Sequence, residues 1–99
     1  MLKQKLSPDY IKCKLHPIDF YQHELSNAPL RKGGWNSGGL CVFHGDKMPG
    51  SFYVNLTTGA YKCFSCGEAG GDIIAFTMAL YGLQFVEALA KLTDDWGLM

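Results

Sequence analysis

The chain has 99 residues, 47% of them hydrophobic and 13% aromatic, which fits one folded domain and excludes a disordered chain. Nine Lys/Arg balance nine Asp/Glu, so bulk charge does not make it a strongly basic nucleic-acid binder. No apolar run approaches the roughly 20 residues of a membrane-spanning helix, and a chain this short buries a modest share of its surface, so it gains from a metal staple.

The charges are unevenly placed. Residues 1–67 hold eight of the nine Lys/Arg and four of the nine Asp/Glu, whereas residues 68–99 hold one basic and five acidic side chains. That asymmetry points to a basic face in the N-terminal and middle parts. A solvated surface without a ligand is the other reading of the same distribution.

Residues 1–17 are polar and interrupted by Pro8 and Pro17. They read as a flexible tail or as a short helix over 8–15. Pro17 suits the first turn of a helix running to about Leu25, where its missing N–H has no intrahelical partner to lose. Ile18, Tyr21 and Leu25 recur at helical spacing and face the core in this reading, with His23 and Glu24 outward. Ser26-Asn27-Ala28-Pro29 ends the helix. Residues 1–27 are thus an N-terminal tail and short helix, and residues 28–99 the domain proper. Between 30 and 40, four glycines flank Trp35 in two pairs. Arg31 and Lys32 beside an aromatic suit phosphates and stacked bases; a Trp35 that merely covers a small core is the alternative.

Cys41-Val42-Phe43-His44 and Cys63-Phe64-Ser65-Cys66 each place two metal-binding side chains in one tight turn. Eighteen residues lie between His44 and Cys63. This is the spacing of two knuckles meeting at one tetrahedral Zn²⁺, and three thiolates with one imidazole leave no position for water. The expected centre is a closed structural zinc. Two disulfides would account for four cysteines, but no apolar leader precedes them, so a reducing, cytoplasmic setting and metal binding are expected. Cys13-Lys14-Leu15-His16 is a rival first knuckle. It lacks the glycines that surround Cys41 and His44, so Cys13 reads as a spare thiol.

Ser51 to Leu56 alternates as a strand, Thr57-Thr58-Gly59 supplies a turn, and Ala60 to Phe64 returns as a second strand carrying Cys63. The result is a small α+β zinc ribbon, a zinc-clamped β-hairpin packed with flanking helices. A one-residue slip would exchange the hairpin's faces, so which of Tyr53, Tyr61, Lys62 and Phe64 are exposed together stays open. Gly70-Gly71-Asp72 then breaks the chain and caps a helix from Ile73 to about Tyr81, with Gly82 as its C-cap. A second helix runs from about Gln84 to Leu92, with Phe85, Ala88, Leu89 and Leu92 on its apolar face. No repeat or low-complexity segment appears.

With these motifs in order, the chain resembles the CHC2-type zinc-binding domain of DnaG-type bacterial and phage DNA primases. The matching text is Cys41-Val42-Phe43-His44, then Lys47-Met48-Pro49-Gly50-Ser51-Phe52, then Cys63-Phe64-Ser65-Cys66-Gly67-Glu68-Ala69-Gly70-Gly71-Asp72, with Phe85-Val86-Glu87-Ala88-Leu89 downstream. It covers roughly residues 28–97. Val42 stands where the family has proline, Met48 where it has threonine, and Gly50 is inserted before Ser51. The resemblance implies one structural zinc on Cys41, His44, Cys63 and Cys66. It also implies a single-stranded DNA-binding module that reads template in primer synthesis during replication. Its partners would be a primase polymerase domain in cis or in trans and the replicative helicase, in a bacterial, phage or plasmid setting, with no membrane. The polymerase centre of that family lies in a separate domain, and these 99 residues offer no compact acidic metal constellation for one.

From the residues themselves, the candidate nucleic-acid contacts are Arg31, Lys32, Trp35, Lys47, Tyr53, Tyr61, Lys62 and Phe64, which combine cations with ring faces. The alternative function is a zinc-ribbon protein-interaction module of a replication or mobile-element protein, with the same aromatics as partner surface. A zinc deaminase is disfavoured, since His23 and Glu24 are adjacent rather than separated, Lys62 precedes Cys63, and the zinc shell is full.

Overall fold

The Ser7 side chain accepts the Tyr10 backbone N–H at 3.3 Å and caps α1, Pro8–Lys14, which has Pro8 in its first turn. A computed structural model describes residues 7–31, 33–45 and 47–98. The chain continues through α2 (Pro17–Glu24), β1 (Trp35–Ser37), β2 (Phe52–Asn55), β3 (Tyr61–Cys63), β4 (Ala69–Gly70), α3 (Ile73–Tyr81) and α4 (Phe85–Trp96). The four strands form one antiparallel sheet in the order β1-β2-β3-β4. No single helix among the described residues is long and apolar enough to cross a membrane.

The strand period decides which side chains go inward. Phe52, Val54, Tyr61 and Cys63 face the helices and are almost fully buried, whereas Tyr53, Lys62 and Phe64 face away. The turn between β2 and β3 is tied by Asn55, whose side-chain oxygen accepts the Thr57 and Thr58 N–H groups at 2.9 and 3.0 Å. Gly59 follows with φ +88°, and a Cβ there would sit 3.1 Å from the Ile73 nitrogen. Only glycine satisfies both the turn and this approach to α3.

Phe76 stands at the middle of the core. Its ring packs edge-to-face with Phe20 from α2 at 5.6 Å, Tyr21 at 5.1 Å, Phe43 at 5.3 Å and Tyr61 from the sheet at 5.3 Å. Asp72 caps α3 by accepting the Ala75 N–H at 2.8 Å, and Gly82 ends that helix at φ +66°. The Glu87 carboxylate accepts the Gln84 N–H at 2.8 Å and closes the start of α4.

Several expectations are corrected. Both α1 and α2 belong to the same core cluster as α3 and α4, since Ile11, Leu15, Phe20, Tyr21 and Leu25 pack with Ile73, Phe76, Leu89 and Leu92. The boundary at residue 28 therefore separates no independent unit. Helix α4 runs on to Trp96, because Trp96 packs on Phe20 and His23. Phe85 is 46% exposed and lies off the buried face formed by Ala88, Leu89 and Leu92. The short strands β1 and β4 were not foreseen: three and two residues are too few to show alternation.

Candidate metal centre

Two turns bring the four expected ligands together. Cys41 and His44 flank a turn in which the Phe43 N–H points at Cys41 Sγ, 3.3 Å away. Cys63 ends β3, the Cys66 N–H points back at Cys63 Sγ at 3.5 Å, and Gly67 at φ +85° returns the chain with its N–H on the Cys63 carbonyl at 2.9 Å. Across the two turns, Cys41 Sγ lies 3.9 Å from Cys66 Sγ, and Cys63 Sγ lies 4.0 Å from His44 Nδ1. One donor atom from each of the four residues falls within 4.8 Å of the others.

These distances suit one zinc. Bonds of roughly 2.3 Å to sulfur and 2.0–2.1 Å to nitrogen, arranged tetrahedrally, separate ligand atoms by about 3.5–3.8 Å. The thiols respond to the crowding in opposite directions. Burial pushes the Cys41 thiol up to about 12, and the neighbouring Cys63 and Cys66 sulfurs add to that rise against the help of the Phe43 N–H. Burial also opposes ionisation of Cys63, but the N–H groups of Cys66 and Ser65 and the adjacent thiols outweigh it, so Cys63 is lowered to about 6. A pocket that already favours one thiolate, and strains to hold a second beside it, has the chemistry of a dication site. The bound metal offsets the mutual repulsion of the sulfurs, and with four protein ligands it is structural.

The cluster is seated by Phe43, which sequence reasoning missed. Its ring stacks on Tyr61 at 5.4 Å and meets Phe52 at 6.0 Å as well as Phe76. The first knuckle is thereby bolted to the sheet and to α3. The signal was an aromatic enclosed between two ligands, a position that has to point inward when both ligands point at the metal. Cys13 is exposed on α1 and takes no part in the cluster, nor does His16.

The other expected contacts divide between two faces. Trp35, Tyr53, Lys62 and Phe64 line one shallow slot of about 280 Å³ on the outer face of the sheet. Tyr53 and Lys62 are cross-strand partners; the Tyr53 and Phe64 rings meet edge-to-face at 6.0 Å; and Lys62 Nζ sits 5.1 Å from the Phe64 ring centre. Trp35 is 56% and Phe64 67% exposed, so neither covers a core. Tyr61 is corrected. It lies on the inner face, 2% exposed, with its hydroxyl on Glu68 and the Ala75 carbonyl, where no base can reach its ring. Arg31 and Lys47 are exposed in the loops before β1 and after the first knuckle. Lys32 lies outside the described residues.

Residues 9–99 match the CHC2 zinc finger family. This chain belongs to that family. The match starts nineteen positions before residue 28, in agreement with the shared core of all four helices. The chain is similar to the DNA primase of Helicobacter pylori, 47% identical over 84 residues that make up 85% of this chain and 15% of that protein. It is also similar to the DNA primase of Neisseria meningitidis, 42% identical over 91 residues, 92% of this chain and 15% of that protein. In three dimensions it is similar to the crystal structure of the Aquifex aeolicus primase (zinc binding and RNA polymerase domains), with a TM-score of 0.71 and 28% identity, covering 97% of this chain and 22% of that one. The chain spans about 15% of the length of the primases it matches.

Proposed function

We propose that this chain is the template-binding zinc module of a DNA primase and that the outer face of its sheet holds single-stranded DNA. The observation that carries the reading is the slot of Trp35, Tyr53, Phe64 and Lys62, three rings and a cation on one exposed surface. Each base stacked on such a ring is worth about 1–3 kcal/mol, with little dependence on sequence. Arg31 and Lys47, exposed in the loops before β1 and after the first knuckle, supply further phosphate contacts. With few cations and zero net charge, the isolated chain binds weakly, at about micromolar or above. In this reading the chain joins no nucleotides. It presents template to a primase polymerase domain, in cis or in trans, beside the replicative helicase.

The test is a titration of zinc-loaded protein with fluorescently labelled single-stranded oligonucleotides at low salt. Binding should weaken as salt rises, with a slope of roughly 0.7 per phosphate neutralised, and Trp35→Ala with Phe64→Ala should abolish it while zinc content is unchanged. Oligonucleotides at millimolar concentration that leave the Trp35, Tyr53, Lys62 and Phe64 resonances unmoved would overturn the reading.

A further inference from the structure

A fixed polar group stands beside the aromatic slot. Trp35 is directly opposite Asn55 in the pairing of β1 with β2. Directly opposed residues share a face of the sheet, with Cβ atoms about 4.5–5.5 Å apart. Alternation along β2 gives the same answer, since Asn55 lies two positions from Tyr53, which faces outward. Asn55 is therefore a half-buried residue of the outer face, next to Trp35.

The turn after β2 decides what Asn55 offers. Its Oδ1 accepts the N–H groups of Thr57 and Thr58 at 2.9 and 3.0 Å. Two donors aimed at one atom settle which end of the amide is oxygen, and they hold the group in place. The other end is Nδ2, a donor that meets no acceptor among the described residues. Lys62 and the Trp35 indole N–H, at the slot itself, are also donors only. Tyr53 gives its proton to the Gly50 carbonyl at 3.2 Å, so its oxygen is the one acceptor among the four lining side chains.

Stacking tolerates any base, so a preference has to come from these polar groups. Thymine and guanine present a carbonyl oxygen where cytosine and adenine present an amino group. The carbonyl accepts from Nδ2. An amino group meets it donor to donor, and both lose hydration without a bond. An asparagine free at both ends reads adenine with Oδ1 on N6 and Nδ2 on N7; here Oδ1 is spent on the turn, and that mode is closed. Resting on the reading of the outer face as the DNA surface, we infer that Asn55 is a specificity-determining residue. It donates from Nδ2 to the exocyclic carbonyl of a base stacked on Trp35, and the site takes thymine or guanine ahead of cytosine or adenine.

The test titrates the zinc-loaded chain at low salt with two short homopolymers of equal length, one of deoxyuridine and one of deoxycytidine. Their bases differ only in the exchange of oxygen for amino group at C4 and the N3 proton that goes with it. Deoxyuridine should bind about three- to tenfold tighter, the worth of one neutral hydrogen bond. Asn55→Asp keeps an oxygen on the Thr57 and Thr58 N–H groups and puts an acceptor where Nδ2 was, so the preference should turn to deoxycytidine. The ratio within each variant cancels the repulsion that the new charge adds. If Asn55→Asp fails to fold, the Asn55 side-chain amide resonances of ¹⁵N-labelled wild-type protein decide: they should shift with deoxyuridine and much less with deoxycytidine. Equal binding of the two by the wild-type chain, or a ratio that Asn55→Asp leaves unchanged, would overturn the role of Asn55 and leave the slot as a DNA surface. Binding of neither would overturn the reading of the slot itself, and the role of Asn55 with it.

Discussion

The Tyr21 hydroxyl donates to the Gly59 carbonyl at 2.7 Å, joining α2 to the turn between β2 and β3 across 38 positions of sequence. Both groups are buried, so the bond is costly to lose. Tyr21→Phe keeps the ring against Phe20 and Phe76 and strands the Gly59 oxygen. It should destabilise the zinc-loaded protein by about 1–3 kcal/mol, read as a lower urea midpoint at unchanged slope. An unchanged midpoint would mean that water replaces the hydroxyl.

Alkaline pH should unfold the protein through its buried tyrosines. Burial raises the Tyr21 hydroxyl above its usual range, with Tyr61 and Asp72 adding to the effect, and burial with the nearby Glu68 carboxylate raises Tyr61 to about 12. Both groups therefore hold their protons more tightly folded than unfolded. Their contribution is fully present below pH 10, the unfolded value, and is lost as pH climbs towards 12. Urea midpoints should be flat from pH 8 to 9.5 and fall above 10, and Tyr61→Phe should blunt the fall.

Zinc removal should open the ribbon first. Cys41→Ser or Cys63→Ser should lose the metal, whereas Cys13→Ser should keep one zinc per chain by elemental analysis. After chelation the amides of 41–66 should collapse to unfolded positions, while helical circular dichroism falls only in part, because Phe20, Phe76, Leu89 and Leu92 pack without the ligands. Native shifts for 41–66 in metal-free protein would contradict this.

Phe43 should matter as much as a ligand for keeping the knuckle in place. Phe43→Ala removes its contacts with Phe52, Tyr61 and Phe76. For a ring only partly buried, the cost should sit near the low end for such truncations, about 3 kcal/mol. A competition assay with a chelating dye should show faster zinc release, and Phe43→Leu should restore much of the loss.

Asp72 has two tasks. It caps α3 through Ala75 and pairs with Lys12 of α1 at 3.1 Å. The pair is partly exposed and is worth little, so the cap should dominate. Asp72→Ala should cost about 1 kcal/mol, Lys12→Ala a few tenths, and Asp72→Asn should recover most of the first loss. Thermal melts of the three variants separate the two tasks.

The ligand set, the hairpin and α3 were legible in the sequence because each rests on a local rule: two-residue spacing in a knuckle, alternation in Phe52 to Leu56, and a helix start at Asp72 with a stop at Gly82. What the sequence hid was non-local. Phe20 shows no periodicity partner in α2, yet it is 1% exposed because Phe76 and Trp96 close over it from helices more than fifty residues away. Tyr61 and Phe64 are three positions apart, so alternation sends them to opposite faces, but which of the two faces is the inner one is fixed only by the pairing of Tyr53 with Lys62 under the helices. β1 pairs with β2 through a register that three residues cannot announce.

Helix α1 packs with α4, so the fold is completed by its late residues. During synthesis the last residue of the ribbon is added at Gly70, while Phe76, Leu89 and Leu92 are still to come. At about 5–20 residues per second, the 26 residues from Gly70 to Trp96 take roughly one to five seconds. For that interval Phe43, Phe52, Val54 and Tyr61 lack the cover that α3 and α4 later supply. The inner face of the ribbon, short of its α3 and α4 cover, is the surface a chaperone would meet.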